Sequence, residues 1–143
     1  MALIGNKEYF KGIGEIKFEG KESDNPLAFK YYNPEQVVAG KKMKDWFKFS
    51  IAYWHTFCGQ GSDPFGPGTQ NFAWAQHSDA LEAAKAKADA AFEFTTKMGF
   101  GYYCFHDFDL IREGATFAES ESRIAAITEV LKEKQAASGV KLL

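Results

Sequence analysis

Between residues 49 and 54 bulky side chains alternate with smaller neighbours, Phe49, Ile51 and Tyr53 against Ser50, Ala52 and Trp54, and a period of two predicts a β-strand. The bulkier set is expected to face helices. Ser50 and Ala52 then point into a crowded interior, with Trp54 at the carboxyl end of the same face, at the mouth of a pocket. From residue 79 to 98 the period changes. Leu81, Ala84, Ala88, Ala91, Phe92, Thr95 and Met98 recur at helical spacing, Asp79 with Glu82 has capping-box spacing, and Gly99 suits the C-terminal cap. An apolar run over residues 102–106 predicts a second strand. A second helix follows from Thr116, with Glu119 in capping-box spacing, and stops at Gly139; its buried stripe is expected to include Phe117, Ile124, Ile127 and Leu131. Val140-Lys141-Leu142-Leu143 then starts a third strand.

Strands alternating with helices argue for an α/β fold with a parallel sheet. Three parallel strands cannot close a barrel and are fewer than open sheets usually carry, so the pattern is expected to be part of something larger. Residues 1–46 are rich in turn signals, Asn25-Pro26 and Asn33-Pro34 among them, with one short helical stretch near residues 34–38. They read as an N-terminal arm over the body or a neighbour, and residues 47–143 as the start of the barrel-like unit. The connection over residues 55–78 far exceeds a usual strand-to-helix loop. Its glycines and prolines, in Gly59-Gln60-Gly61-Ser62-Asp63-Pro64-Phe65-Gly66-Pro67-Gly68, would thrust Phe65 out on a stiff turn. The spacing does not fit a phosphate-binding loop, and no Lys-Ser or Lys-Thr follows.

The 143 residues suit one domain, and the net charge of -2 comes from interleaved lysines and acids, which argues against a nucleic-acid partner. No run approaches the roughly 18 apolar residues of a membrane span, and residues 1–9 carry no apolar core of a signal peptide, so cytoplasmic residence is the default expectation. Cys58 and Cys104 are too few and too far apart for a disulfide scaffold or a Cys-x-x-Cys metal site and read as reduced and buried. Aromatic residues make up 16% of the chain, which suggests an aromatic-lined pocket, large subunit contacts, or both.

Candidate chemistry concentrates in Tyr102-Tyr103-Cys104-Phe105-His106-Asp107-Phe108-Asp109. An imidazole at a strand end is a candidate proton-transfer group, and a carboxylate three residues on, at the start of the next loop, could hold one ring nitrogen and tune it. Two other readings stay open: a core histidine bonded to Asp109 without chemistry, and a metal site of His106, Asp107 and Asp109. On composition alone Trp54 fits core packing better than a pocket wall. Phe65 fits a loop anchor in its own subunit. His55 and His77 have no partner in the pattern.

The segments Asn25-Pro26-Leu27-Ala28-Phe29-Lys30-Tyr31-Tyr32-Asn33-Pro34, Tyr53-Trp54-His55-Thr56-Phe57-Cys58, Asp63-Pro64-Phe65-Gly66 and Tyr103-Cys104-Phe105-His106-Asp107-Phe108-Asp109 together resemble xylose isomerase in its long, class II form, in order, over residues 12–143. The resemblance implies a TIM (β/α)8-barrel, of which this chain covers the arm and about the first two and a half βα units. It implies a tetrameric enzyme interconverting D-xylose and D-xylulose, and also glucose and fructose, with two divalent cations (Mg2+, Mn2+ or Co2+). On that resemblance His106 meets the sugar ring oxygen and assists ring opening, and Asp109 holds its tautomer. Trp54 is an aromatic wall of the sugar pocket, and Phe65 reaches into the neighbouring subunit's site. The family's metal ligands, catalytic lysine and second pocket tryptophan lie on segments this chain does not contain, so the metal ligands expected here are none. Three functions compete: a portion of a working isomerase, inactive alone; a non-catalytic module that assembles with itself or a complementary fragment through its strand edges; and a small metal-free enzyme that only opens sugar rings.

Overall fold

The computed structural model describes residues 5–143, so the first four positions of the expected arm lie outside the described residues. Three short strands, β3 (Ser50–Ala52), β4 (Tyr102–Cys104) and β5 (Lys141–Leu142), form a parallel sheet in the order β3-β4-β5. Ser50 pairs with Tyr102 and Ala52 with Cys104, while Tyr102 pairs with Lys141. Each step is made by a long helix, α2 (Ala80–Lys97) and then α4 (Phe117–Ser138), the crossover that parallel neighbours require. This is a mixed α/β architecture, as the alternating pattern predicts.

Both helix limits follow from local chemistry. The Asp79 side chain accepts from the Glu82 N–H at 2.8 Å, and Thr116 Oγ1 from the Glu119 N–H at 3.2 Å, so each helix begins on a capped donor. Gly99 and Gly139 take φ of 68° and 76° beyond the helix ends, a conformation that a side chain would strain. Alanines at 84, 86, 88, 90 and 91 are buried along α2, and their small size lets α4 approach it closely. Asp89 of α2 and Lys134 of α4 form an ion pair between the two helices.

Ile51, Tyr53 and Tyr103 point to the helix side, where Phe92 meets Tyr103 at 5.0 Å between ring centroids. Ser50, Ala52, Tyr102 and Cys104, on the other face, stay half-buried. Burial pushes the Tyr103 hydroxyl up to about 12 and raises the Tyr53 hydroxyl, which has no hydrogen-bond partner among the described residues. Burying each ring is worth on the order of 1.5–3 kcal/mol, enough to offset a lone hydroxyl that costs roughly 1–3 kcal/mol.

Several expectations need correction. The strand expected over residues 49–54 stops at Ala52, and residues Trp54–Cys58 form one wide π-helical turn; that turn brings Tyr53 and Phe57 inward together, with centroids 5.3 Å apart. The helical stretch expected near residues 34–38 is a hairpin instead. Val37–Val38 (β1) pairs with Lys41–Lys42 (β2) across Ala39 and Gly40, whose φ values are 48° and 81°, a turn matched to strand twist, and α1 (Met43–Trp46) follows. In α4 Ile127 and Leu131 are buried, but Phe117 is 85% exposed and Ile124 is exposed as well. The first turns of α4 rim a pocket of about 380 Å³ beside the 107–116 segment rather than covering the sheet. Both cysteines are free but only half-buried, Cys104 because its sheet face carries no helix.

The segment before β3 is anchored along α2 and at the strand ends. Glu93, only 4% exposed, accepts the N–H groups of Tyr9 and Phe10 at 2.7 and 2.9 Å and pairs with Lys97 at 2.8 Å. Lys97 also reaches Glu8 and the Phe10 carbonyl. At the amino ends of the strands, Phe29, Tyr32, Phe49 and Phe100 pack ring to ring, with centroids 5.1–5.9 Å apart.

Candidate active site

The carboxyl ends of β3 and β4 carry the polar groups. Past Cys104 the chain reaches His106, which stands before the short helix α3 (Asp107–Leu110). Asp109 therefore lies on a helical turn rather than at the start of a loop, and the turn folds its carboxylate back. Asp109 Oδ2 accepts from the His106 backbone N–H at 2.9 Å and lies 3.0 Å from His106 Nδ1. The carboxylate is 2% exposed and the imidazole 58%. With Nδ1 donating to Asp109, the proton-accepting edge at Nε2 has no partner among the described residues and faces outward.

Two rings flank that imidazole. Trp54, carried there by the turn after β3, lies 4.5 Å from it between centroids, and Phe108 stacks at 5.9 Å with planes 7° apart. Trp54 is half-buried, so one of its surfaces is packed and the rest is free. The wide turn puts this residue beside His106, where an extended strand would carry it past.

Beneath the turn lies a group the sequence reading passed over. Lys87, from the middle of α2, donates to the Asp109 carbonyl, and the Cys58 thiol lies 3.6 Å from both that carbonyl and Lys87 Nζ. Burial pushes the Cys58 thiol up against the pull of the Lys87 ammonium, which keeps the proton available to the carbonyl. The signal for Lys87 was present: it falls three residues after Ala84 and four before Ala91, on the edge of the apolar stripe.

Phe65 is 96% exposed on a turn in which Asp63 Oδ1 accepts the N–H groups of Phe65 and Gly66 at 2.8 and 3.1 Å. The stiff turn therefore presents the ring as expected, and the structure does not bring it to His106. His55 and His77 are both exposed. The open metal reading of His106, Asp107 and Asp109 finds no support: among the described residues no group of three or more His, Cys, Asp or Glu could hold a metal ion. Asp107 spends its carboxylate on the Phe108 N–H at 2.9 Å. Among the described residues no helix is long and apolar enough to cross a membrane.

A parallel βαβαβ framework with an oriented imidazole at its strand ends places the chain in the α/β class, with a site where such folds keep their chemistry. No protein-family model matches it. It is homologous to the xylose isomerases, as its motifs predict. It is 56% identical over 140 residues to the xylose isomerase of Phocaeicola vulgatus and 55% to that of Bacteroides thetaiotaomicron, in each case over 98% of this chain and 32% of the relative. Xylose isomerase 1 of Xanthomonas campestris pv. campestris is 54% identical over 141 residues, 99% of this chain and 32% of the relative. The chain thus spans about a third of the length of the curated relatives it matches, consistent with their N-terminal portion.

Proposed function

We propose that this chain supplies the ring-opening and pocket-wall side chains of a xylose isomerase, the TIM (β/α)8-barrel enzyme that interconverts D-xylose and D-xylulose and also glucose and fructose. Residues 1–46 are its arm and residues 47–143 the start of its barrel. The observation that carries the reading is the 3.0 Å contact of His106 Nδ1 with buried Asp109 while the ring's other edge lies open beside Trp54. Asp109 orients the imidazole, and His106 accepts the anomeric hydroxyl's proton at Nε2 and returns it to the ring oxygen as the bond from C1 to that oxygen breaks, a proton transfer of the kind worth about 10²–10⁴ in rate. Trp54 packs on the carbon face of the sugar and keeps water off it. Phe65 closes the site of a neighbouring subunit, in a tetramer residing in the cytoplasm.

Two divalent cations (Mg2+, Mn2+ or Co2+), held by residues outside this chain, would polarise the sugar oxygens for the subsequent hydride shift. The described residues do not fit such a site, because Asp109 is committed to His106 and Asp107 to the Phe108 N–H. On its own the chain is expected to form no ketose.

The test is a chimaera in which this chain replaces the matching third of the Phocaeicola vulgatus relative, assayed for ketose from D-xylose with Mg2+. Activity that falls about 10²-fold or more in His106→Gln is expected. A folded but inactive chimaera, or an unimpaired variant, would overturn the reading. A second reading, a non-catalytic module that assembles with itself or a complementary fragment, is favoured by the outer edges of β3 and β5, which are unpaired among the described residues. Its signature is a discrete oligomer mass for the chain alone, with no activity in the chimaera.

A further inference from the structure

We propose that Lys87 is a positioning residue for the His106 imidazole, selecting the Nδ1–H tautomer through the backbone of Asp109; the proposal rests on the ring-opening reading above. Helix α3 is four residues long, too short to hold itself, and its last-turn carbonyls lack helical partners and form the negative end of its dipole. Its carboxyl end is packed, with Leu110 and Ile111 buried in the core, but the Asp109 main chain borders open space. A pocket of about 230 Å³ lies under it, lined by Cys58, Trp74, Lys87, Phe108 and Asp109 among others. Lys87 reaches across this space, and its ammonium donates to the Asp109 carbonyl, a charge-assisted bond roughly twice as strong as a neutral one. The Cys58 thiol adds a longer contact at 3.6 Å.

Asp109 is thus gripped on its main chain by Lys87 while its side chain grips the main chain and ring of His106. The two bonds belong to one residue, so losing the first loosens the Asp109 main chain and shifts the carboxylate from its line with Nδ1, while Leu110 and Ile111 keep the segment on the core. Lys85, two positions earlier, is a built-in control: its ammonium lies on the surface and pairs with Glu82 at 2.8 Å.

The tautomer can be read directly from the ring-nitrogen shifts of the 15N-histidine-labelled 143-residue chain, with exposed His55 and His77 as references in the same spectrum. In the unaltered chain His106 should be the Nδ1–H form, while the references show the Nε2–H form that imidazole prefers in water. Lys87→Met should reverse the major form at His106, Lys87→Arg should retain it, and Lys85→Met should leave it unchanged. A His106 tautomer unmoved by Lys87→Met, or an Nε2–H form in the unaltered chain, would overturn the proposal. Should Lys87→Met lose its cooperative melt, Lys87→Gln decides the matter, and loss of the fold in both would assign Lys87 a structural role instead. No sugar is present in the measurement. An inactive chimaera beside an intact tautomer switch would therefore count against the ring-opening reading and leave this one standing.

Discussion

Glu93 and Asp109 are both buried carboxylates that grip a neighbouring stretch of backbone, and the two sites differ in what is left over. Around Glu93 everything is consumed: two N–H groups of the arm and the Lys97 ammonium take its oxygens, and Lys97 spends itself on Glu8 and the Phe10 carbonyl. Around Asp109 the same kind of grip ends on an imidazole whose far edge is open. A closed network holds chain segments together; a network that stops one bond short presents a reactive atom. That unspent nitrogen, rather than burial as such, is what makes the His106–Asp109 pair the candidate site.

The comparison breaks most sharply at Glu93. Replacing it with Leu leaves the Tyr9 and Phe10 donors unbonded and takes one of three partners from Lys97, so a loss of about 2–3 kcal/mol in urea unfolding is expected. A loss under about 1 kcal/mol would mean that the arm is held elsewhere. Acid should show the same contact with smaller effect. Burial alone would raise the Glu93 carboxyl, but Lys97 and the Tyr9 and Phe10 N–H groups outweigh it and hold it below 4.5. The unfolded chain therefore binds that proton more readily, so the stabilisation is complete above pH 4.5 and fades as pH falls through the lowered value. Melting temperatures taken from neutral pH downward should fall more steeply below pH 4.5 in the unaltered chain than in Glu93→Gln; parallel curves would remove Glu93 from the account. The smallest effect is expected at the open pair. His106→Gln should cost about 1 kcal/mol or less in urea unfolding, because the ring is mostly in solvent. A cost matching that of Glu93→Leu would make His106 a structural residue after all.

Much of this was legible along the chain because it is local. The limits of α2 and α4 follow from Asp79, Gly99, Thr116 and Gly139, residues that cap a helix wherever it sits, and the pairing of His106 with Asp109 spans three positions of one turn. The errors came where a local pattern had two solutions. Val37–Val38 carries two β-branched residues before Ala39 and Gly40, and the turn, not a helical start at Pro34, decides their conformation. Phe117 and Ile124 share the helical period of Ile127 and Leu131, yet no period states how far along α4 the sheet extends.

What the sequence by itself determined about this protein is its alternation of strands and helices, the caps that bound them and the chemical identity of an imidazole beside a carboxylate. Only the tertiary structure decided that Lys87 lies beneath that pair while Lys85 faces water, that Trp54 turns back onto His106, and that Glu93 is sealed under the arm. Those outcomes depend on contacts between segments dozens of residues apart. Desolvation and hydrogen-bond reach act in space, so only the packed chain distinguishes side chains that the sequence spells alike.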